Sequence, residues 1–308
     1  MGNNLFGSGA RRATPFLLLL PAFLLYLLIA LGPSVANSVY SFTDATGIRG
    51  APVNWIGLDN YEEFLFRGMA SRDNLEATWR TLKFMFYVTS IQFTFGLIVA
   101  LVLNQRLRGR TIFRTLYFLP VILGVVIQGL MWKLFLLPGR GPVAQVWSLF
   151  GLQGEFLGGS PDQAFAWVIV VQIWANMGVT MVIFLAGLQT IPGELYEAGR
   201  IDGASRWQLF RHVTWPLLTP SINTNFLLNV ISSLQAWQLF FVLLGYKPGT
   251  QVLGYLIFAQ GFGQTSGSAS TAFRQGFASA AAVVLFFMVL IIGVAAQYIV
   301  NRREQRYL

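Results

Sequence analysis

Four amide and hydroxyl side chains, Asn225, Asn229, Ser232 and Ser233, fall within about 100° of arc on a helix of about 3.6 residues per turn. Phe240 shares that arc and Trp237 lies just beyond it. Uncharged amides and hydroxyls can pair with the hydroxyl rim of a polar solute, while aromatic faces cover its C–H patches. The same residue types also join membrane helices by hydrogen bonds without touching a ligand. The stripe therefore supports two readings, a wet path or an interhelical seam. Other chemistries lack their residues. No glycine-rich loop ends in Gly-Lys-Ser or Gly-Lys-Thr, so nucleotide hydrolysis is not expected of this chain. The absence of cysteine excludes disulfides, thiolate catalysis and cysteine metal sites. His212 is the sole histidine, and the acids near it do not form a metal-ligand spacing such as His-Glu-x-x-His. No acid or histidine stands near the middle of a long apolar run, where ion-coupled transporters place ionisable groups. Gln92, Gln128, Gln172 and Asn176 are isolated in their runs, which favours packing roles for each.

The elements that must carry the stripe follow from composition. The 308 residues are 55% hydrophobic and 11% charged, against about 25% charged in soluble domains, so the bilayer is the solvent. Apolar runs of roughly 20 residues recur, the length a helix needs to cross the hydrocarbon core, and no alternating barrel-strand pattern is present. The expectation is an all-α integral membrane protein with about six spans, near Phe16–Tyr40, Arg80–Leu103, Phe113–Leu137, Ala164–Gln189, Leu217–Leu244 and Gln275–Val300. Ser34-Val35-Ala36 could serve a signal peptidase, but the first run continues to Tyr40, longer than the 7–15 residues or so of a signal's apolar region. An uncleaved first span is expected. The chain reads as one membrane domain over 16–300, between tails at 1–15 and 301–308.

Charge orients the spans. The net charge of +9 would suggest nucleic acid in a soluble protein, but here the basic residues cluster at helix ends. Arg11, Arg12, Arg106, Arg108, Arg110, Arg114, Arg200, Arg206, Arg211, Arg302, Arg303 and Arg306 all fall on one side, which is twelve of 21 Lys and Arg. The other side holds longer segments and eight of the twelve acids. Positive charge marks the cytoplasm, so both termini and the segment 190–216 are expected inside. The external segment Ser41–Trp79 contains an amphipathic stretch around Tyr61–Phe66 that suits a membrane surface.

Within 190–216 the residues predict a helix, a break and a second helix. Pro192 suits a first helical turn, Glu194 and Glu197 complement the positive end of the helix dipole, and Gly203 can take the left-handed conformation that reverses the chain. Asp202 or Ser205 can cap the second helix, the latter with Gln208 as a capping box, and Pro216 is expected to end it. Trp207 and Phe210 give it an apolar face. Such a rigid knob can be gripped by another protein, although shape alone equally fits an ordinary interfacial loop.

Glu197-Ala198-Gly199, Asp202-Gly203-Ala204, Phe210, Val213 and Pro216 resemble the EAA loop of binding-protein-dependent ABC importer permeases. Flanking residues are similar to the sugar-import branch, of maltose and glycerol-phosphate permease type: Gly57-Leu58-Asp59-Asn60-Tyr61, Thr81-Leu82-Lys83-Phe84, Arg114, Pro120, Trp174, Gly178 and Leu188-Gln189-x-Ile191-Pro192. The likeness spans nearly the whole chain. Departures are Gly199 for the second alanine, Trp215 for the leucine before the proline, and Gly245-Tyr246-Lys247-Pro248-Gly249-Thr250 for a T-x-G-G-P turn. The resemblance implies a type I ABC importer permease fold in a bacterial or archaeal plasma membrane. It implies a second, similar permease, two ATPase subunits that hold ATP and magnesium, and an external solute-binding protein as partners, with no cofactor in this chain. The loop would be the coupling helix, moved as a lever when ATP closes the ATPase dimer. The implied cargo is a sugar or sugar-like solute, with a non-sugar solute of the same family as the alternative. A membrane-embedded lipid or glycan enzyme lacks clustered catalytic groups, and a purely structural subunit would need no polar face on the fifth span.

Overall fold

The computed structural model describes residues 8–105, 107–152, 154–263, 265–266, 269–270 and 273–304. Arg106 and Arg306 of the basic set, and residues 1–7 and 305–308 of the two expected tails, lie outside the described residues. The chain is mainly helical. In order it forms α1 (Ser8–Tyr26), continued through a π turn (Leu27–Leu31) into α2 (Gly32–Tyr40), then α3 (Asp59–Leu65), α4 (Gly68–Leu103), α5 (Arg110–Ile122) and α6 (Val125–Phe135). Next come α7 (Pro142–Leu149), α8 (Pro161–Gln189), α9 (Gly193–Ile201), α10 (Arg206–Leu209), a π turn (Phe210–Thr214), α11 (Trp215–Leu217), α12 (Thr219–Leu234), α13 (Gln238–Leu244) and α14 (Leu253–Phe262). A two-stranded antiparallel pair, β1 (Thr265–Ser266) and β2 (Ala269–Ser270), precedes α15 (Gln275–Glu304).

Four stretches are each long and apolar enough to cross a bilayer unbroken: Phe16–Tyr40, Arg72–Leu103, Pro161–Gln189 and Gln275–Tyr298. The remaining two expected spans are each a bent pair. α5 and α6 meet at 103°, and α12 and α13 at 50°. Continuous helices over Phe113–Leu137 and Leu217–Leu244 are therefore corrected to broken ones. In the first pair, Leu123 and Gly124 are extended, with ψ of 133° and 146°, and this ends α5. In the second, Gln235 to Trp237 leave the helix with neither glycine nor proline among them. Trp237 lays its indole on Phe258, with centroids 4.5 Å apart and planes at 20°. Gly254 faces it so closely that a Cβ there would lie 3.1 Å from the Trp237 Cβ.

α8 runs through the middle. Ser160 caps it, its Oγ accepting from the Gln163 amide at 3.2 Å, and Pro161 and Asp162 open its first turn. Its apolar residues are spread around its whole circumference, the mark of a helix surrounded by others. Two apolar clusters form at its two ends. One gathers Phe84 and Val88 of α4, Val168 and Val171 of α8 and Leu239, Phe240 and Leu243 of α13. The other gathers Leu97, Ala100 and Leu103 of α4 with Met181, Phe184 and Leu188 of α8 and Leu218. Glycines bring the backbones together: a Cβ on Gly178 would sit 2.5 Å from the Tyr117 carbonyl oxygen of α5, and one on Gly96 equally close to Thr180 Cγ2.

α3 corresponds to the amphipathic stretch near Tyr61, but its Phe64 is buried against Ala77, Leu253 and Phe277. Asn60 fastens the same helix by donating to the Ser41 and Thr43 carbonyls, both at 2.9 Å. α1 and α2 behave differently. None of the apolar window of Phe16–Tyr40 is buried within the chain, against half of that in α8. Ser279 Oγ of α15 donates to Asn37 Oδ1 of α2 at 2.7 Å and ties it to the bundle.

Candidate functional site: a polar cavity at two helix breaks

Between the two apolar clusters the bundle turns polar. The break between α5 and α6 and the break between α12 and α13 both open onto a cavity of about 560 Å³, within the range of small-molecule sites. Its polar lining is Gln128 of α6, Gln172 and Asn176 of α8, Ser232 and Gln235 at the end of α12, and Trp237 and Gln238 at the start of α13. Among the described residues no ionisable side chain lines it. Broken helices are tolerated inside a membrane where their freed backbone groups are re-satisfied or face water. Gln128 does the former: its Nε2 donates to the carbonyls of Pro120 at 2.7 Å and Leu123 at 3.0 Å.

The six residues of the sequence stripe part company here. Ser232 and Trp237 line the cavity. Asn225, Asn229 and Ser233 are buried, at 1%, 5% and 1% exposure, on the face of α12 turned toward α4 and α8. Asn225 Nδ2 donates to the Thr180 carbonyl at 3.2 Å. Gln92 Nε2 donates to Asn229 Oδ1 at 2.8 Å and to Thr180 Oγ1 at 2.9 Å, which ties α4, α8 and α12 into one seam. Asn229 Nδ2 and Ser233 Oγ have no partner among the described residues. Phe240 belongs to a different helix from the four polar residues, because of the break, and sits edge-on to Phe84 at 5.0 Å in the apolar cluster. One continuous face is thus replaced by three places, a seam, a cavity and an apolar cluster. Five polar lining residues, Gln128, Gln172, Asn176, Gln235 and Gln238, lie outside the stripe. Gln172 and Asn176 are one helical turn apart, and Ser232, Gln235 and Gln238 recur every three residues, which are the signals that connect them.

The segment after α8 has its own construction. α9 ends in a Schellman motif: Gly203 adopts φ of +76°, its amide donates to the Arg200 carbonyl at 3.1 Å, and the Ala204 amide to Gly199 at 2.9 Å. Asp202 is the C-cap residue of α9, and Ser205 caps α10, in a complete capping box with Gln208. The second helix is not a regular one. After α10 it widens into the π turn Phe210–Thr214, where the Trp215 amide reaches back to the Phe210 carbonyl. Pro216 follows at once, and a wide turn accommodates a proline ring that would clash with a carbonyl four residues back. The break falls at Leu218, two residues beyond the proline.

Gly199 lets the two helices close, since a Cβ there would lie 2.6 Å from Leu209 Cδ2. Tyr196 and Thr214 hydroxyls meet at 3.0 Å across the same junction. Glu194, Glu197, Ala198, Asp202 and Gly203 are exposed, as are Ile201 at 86% and Trp207 at 66%. Ala204, Phe210 and Pro216 are half-buried, and Phe210 stacks on Trp207 with centroids 5.5 Å apart. His212 is exposed, with Nδ1 3.0 Å from the Gln208 carbonyl. The result is a compact helical hairpin presenting acids and two large apolar side chains outward. It joins α8 directly to α11 and α12, so any force on it reaches two walls of the cavity.

Residues 92–306 match the binding-protein-dependent transport system inner membrane component family, a range that includes the cavity and the hairpin. The chain is 32% identical over 235 residues to the trehalose/maltose transport system permease MalF of Thermococcus litoralis, covering 76% of this chain and 78% of that one. It is 30% identical over 295 residues to AmyD of Thermoanaerobacterium thermosulfurigenes, a probable permease for starch degradation products, covering 94% of each. A bacterial ABC transporter that imports the acidic polysaccharide alginate superposes with a TM-score of 0.79 at 24% identity, over 96% of this chain and 97% of that one, which shows the shared fold. With an unbroken match from the second span to the C-terminal helix, the chain is a membrane permease subunit and belongs to the family of binding-protein-dependent transport system inner membrane components.

Proposed function

We propose that this permease carries a neutral, hydroxyl-rich solute of the sugar class, and that the cavity at the two helix breaks is where the solute passes. The observation that carries the reading is the lining: four glutamines, an asparagine, a serine and one indole, with no ionisable group. Amides pair with hydroxyls as donors and acceptors alike, and the Trp237 indole offers a face for C–H surface. Each such bond is worth only about 1 kcal/mol net, which suits a site that must release what it receives. An acidic cargo would call for a basic partner here. The relatives named for maltose and starch products support the same class. Of the stripe, Ser232 and Trp237 would meet solute in this state, and Asn225, Asn229, Ser233 and Phe240 would shape the path by holding its walls.

The energy would come from elsewhere. The hairpin α9 to α11 is read as the knob gripped by ATPase subunits, which hold ATP and magnesium, with Glu197, Ala198, Gly199, Asp202, Gly203, Ala204, Phe210 and Pro216 forming or shaping it. Exposed Ile201 and Trp207 would add apolar contact to acid pairing. The wholly exposed apolar surface of Phe16–Tyr40 supports packing against a second permease subunit rather than within this chain. An external binding protein would deliver the solute. Both termini would face the cytoplasm of a bacterial or archaeal cell, as the arginine distribution favours.

The test is uptake by the full transporter reconstituted in vesicles, with Gln172→Ala, Asn176→Ala and Trp237→Ala each measured against a panel of neutral and acidic saccharides. Raised half-saturation or a changed ranking among neutral sugars, at unchanged complex yield and basal ATPase activity, is expected. Unchanged ranking and half-saturation in all three would remove the cavity from the path.

A further inference from the structure

The break between α5 and α6 is the sharpest bend in the bundle, and one side chain holds it. Extended backbone at Leu123 and Gly124 ends the hydrogen-bond ladder of α5: the Pro120 carbonyl keeps the Leu123 amide at 3.1 Å, and the Leu123 carbonyl has no backbone donor among the described residues. Gln128, 7% exposed and one turn into α6, reaches back across the bend and donates to both, Pro120 at 2.7 Å and Leu123 at 3.0 Å. These two bonds use both hydrogens of its amide. Its Oε1 has no protein partner among the described residues and keeps some exposure, on a residue that lines the cavity.

The next residue ties this bend to the other one. A Cβ on Gly129 would lie 2.5 Å from Val242 Cγ1, so α6 is pressed directly onto α13. The angle at which α6 leaves α5 therefore also sets where α13 stands, and α13 carries Gln238 and follows Trp237 at the cavity wall.

We infer that Gln128 is a positioning residue for solute passage: its amide nitrogen fixes the angle of the broken third span, and its free carbonyl oxygen accepts a hydrogen bond from a solute hydroxyl. The inference rests on the reading of the cavity as the path. A hydroxyl on Oε1 polarises the amide and strengthens the two bonds that Nε2 makes, so occupancy stiffens the bend. Because α6 and α13 touch at Gly129, that stiffening reaches the second break as well.

The experiment uses the full transporter in vesicles with three variants. Gln128→Met keeps the length and removes donor and acceptor. Gln128→Lys keeps donors for the two carbonyls and removes the acceptor. Asn176→Ala alters the cavity but not the bend. The expected result for Gln128→Met is a half-saturation for neutral oligosaccharide uptake raised by about tenfold or more, since two or three bonds of ordinary strength are lost. Gln128→Lys should raise half-saturation while leaving the bend intact. The chain has no cysteine, so spin labels at Ile112→Cys and Leu134→Cys report the angle between α5 and α6. Their distance distribution should broaden in Gln128→Met and stay narrow in Gln128→Lys.

A narrow, unchanged distribution in Gln128→Met would overturn the inference, as would reduced complex yield with unchanged half-saturation in the surviving complex. If Asn176→Ala changes uptake and neither Gln128 variant does, the inference falls while the cavity stands. If all three leave uptake unchanged, the cavity reading falls and takes this inference with it.

Discussion

Gly203 offers a graded perturbation of the α9–α10 hairpin, because its constraint is conformational and not steric. Its φ of +76° lies in the left-handed region, and a Cβ added there would meet nothing within 4 Å. Gly203→Ala therefore carries the backbone cost alone, about 1–2 kcal/mol. Gly203→Asn should cost less, since asparagine visits this region more readily. Gly203→Val should cost more, because a branched Cβ is rarely found there. Gly203→Pro is of another order: it would fix φ near −65° and remove the amide that donates to Arg200 at 3.1 Å. Hydrogen exchange at the Ala204 amide, which donates to Gly199 at 2.9 Å, reads the closed hairpin directly. Exchange should accelerate by about tenfold for each 1.4 kcal/mol lost, in the order Asn, Ala, Val, Pro. If the hairpin is the gripped knob, ATP-driven uptake should fall in the same order while the complex still inserts. Equal exchange in Asn, Ala and Val would refute the conformational argument. Full uptake in Gly203→Pro would refute the coupling one.

Glu197→Lys should reduce co-purification of the ATPase subunits and abolish uptake, because it reverses an exposed charge on the hairpin; normal recovery and uptake would remove that charge from the contact. Gly178→Ala should lower complex thermal stability by about 1–3 kcal/mol, because the new methyl would meet backbone of α5, at 2.5 Å from Tyr117 O and 2.8 Å from Phe118 Cα, and cannot be relieved by a rotamer change. Gln92→Leu should destabilise by about 1–2 kcal/mol, and adding Asn229→Leu should cost less than the two single changes summed, since removing both partners leaves fewer unpaired groups; strict additivity in a double-mutant cycle would contradict the seam. Reporter fusions after Leu308 and within Ser41–Trp79 should read opposite sides of the membrane, and agreement between them would overturn the orientation.

Span number was legible in the sequence because bilayer thickness imposes a length that hydropathy reveals directly. The helix ends around Gly203 and Ser205 were legible for a local reason: the Schellman glycine and the capping box are set by a few neighbouring residues. The two breaks were not. Leu123-Gly124 and Gln235-Ala236-Trp237 are as apolar or as ordinary as a continuous helix, and what accompanies the bends is side-chain contact made only in the fold: Gln128 folding back on the Pro120 and Leu123 carbonyls, and the Trp237 ring stacked on Phe258. A polar stripe drawn on an unbroken fifth span consequently mixed cavity residues with seam residues. Gln128 stands alone in its run, and Gln172 and Asn176 make only a pair, one turn apart, in theirs. Only the packing of α6, α8 and α12 brings them to one cavity. Gln92 was assigned to packing, and its bonds to Thr180 and Asn229 agree with that.

The central claim is that a neutral saccharide crosses at the two helix breaks, and the measurement closest to it is a solute-bound structure of the assembled transporter by electron cryo-microscopy. The account predicts density for one or more sugar rings between α6, α8 and the α12–α13 break, with hydroxyls within hydrogen-bonding reach of Gln172, Asn176, Ser232 or Gln235 and a ring face toward Trp237. Solute density elsewhere in the transporter, with this cavity collapsed or sealed in every state of the cycle, would contradict it.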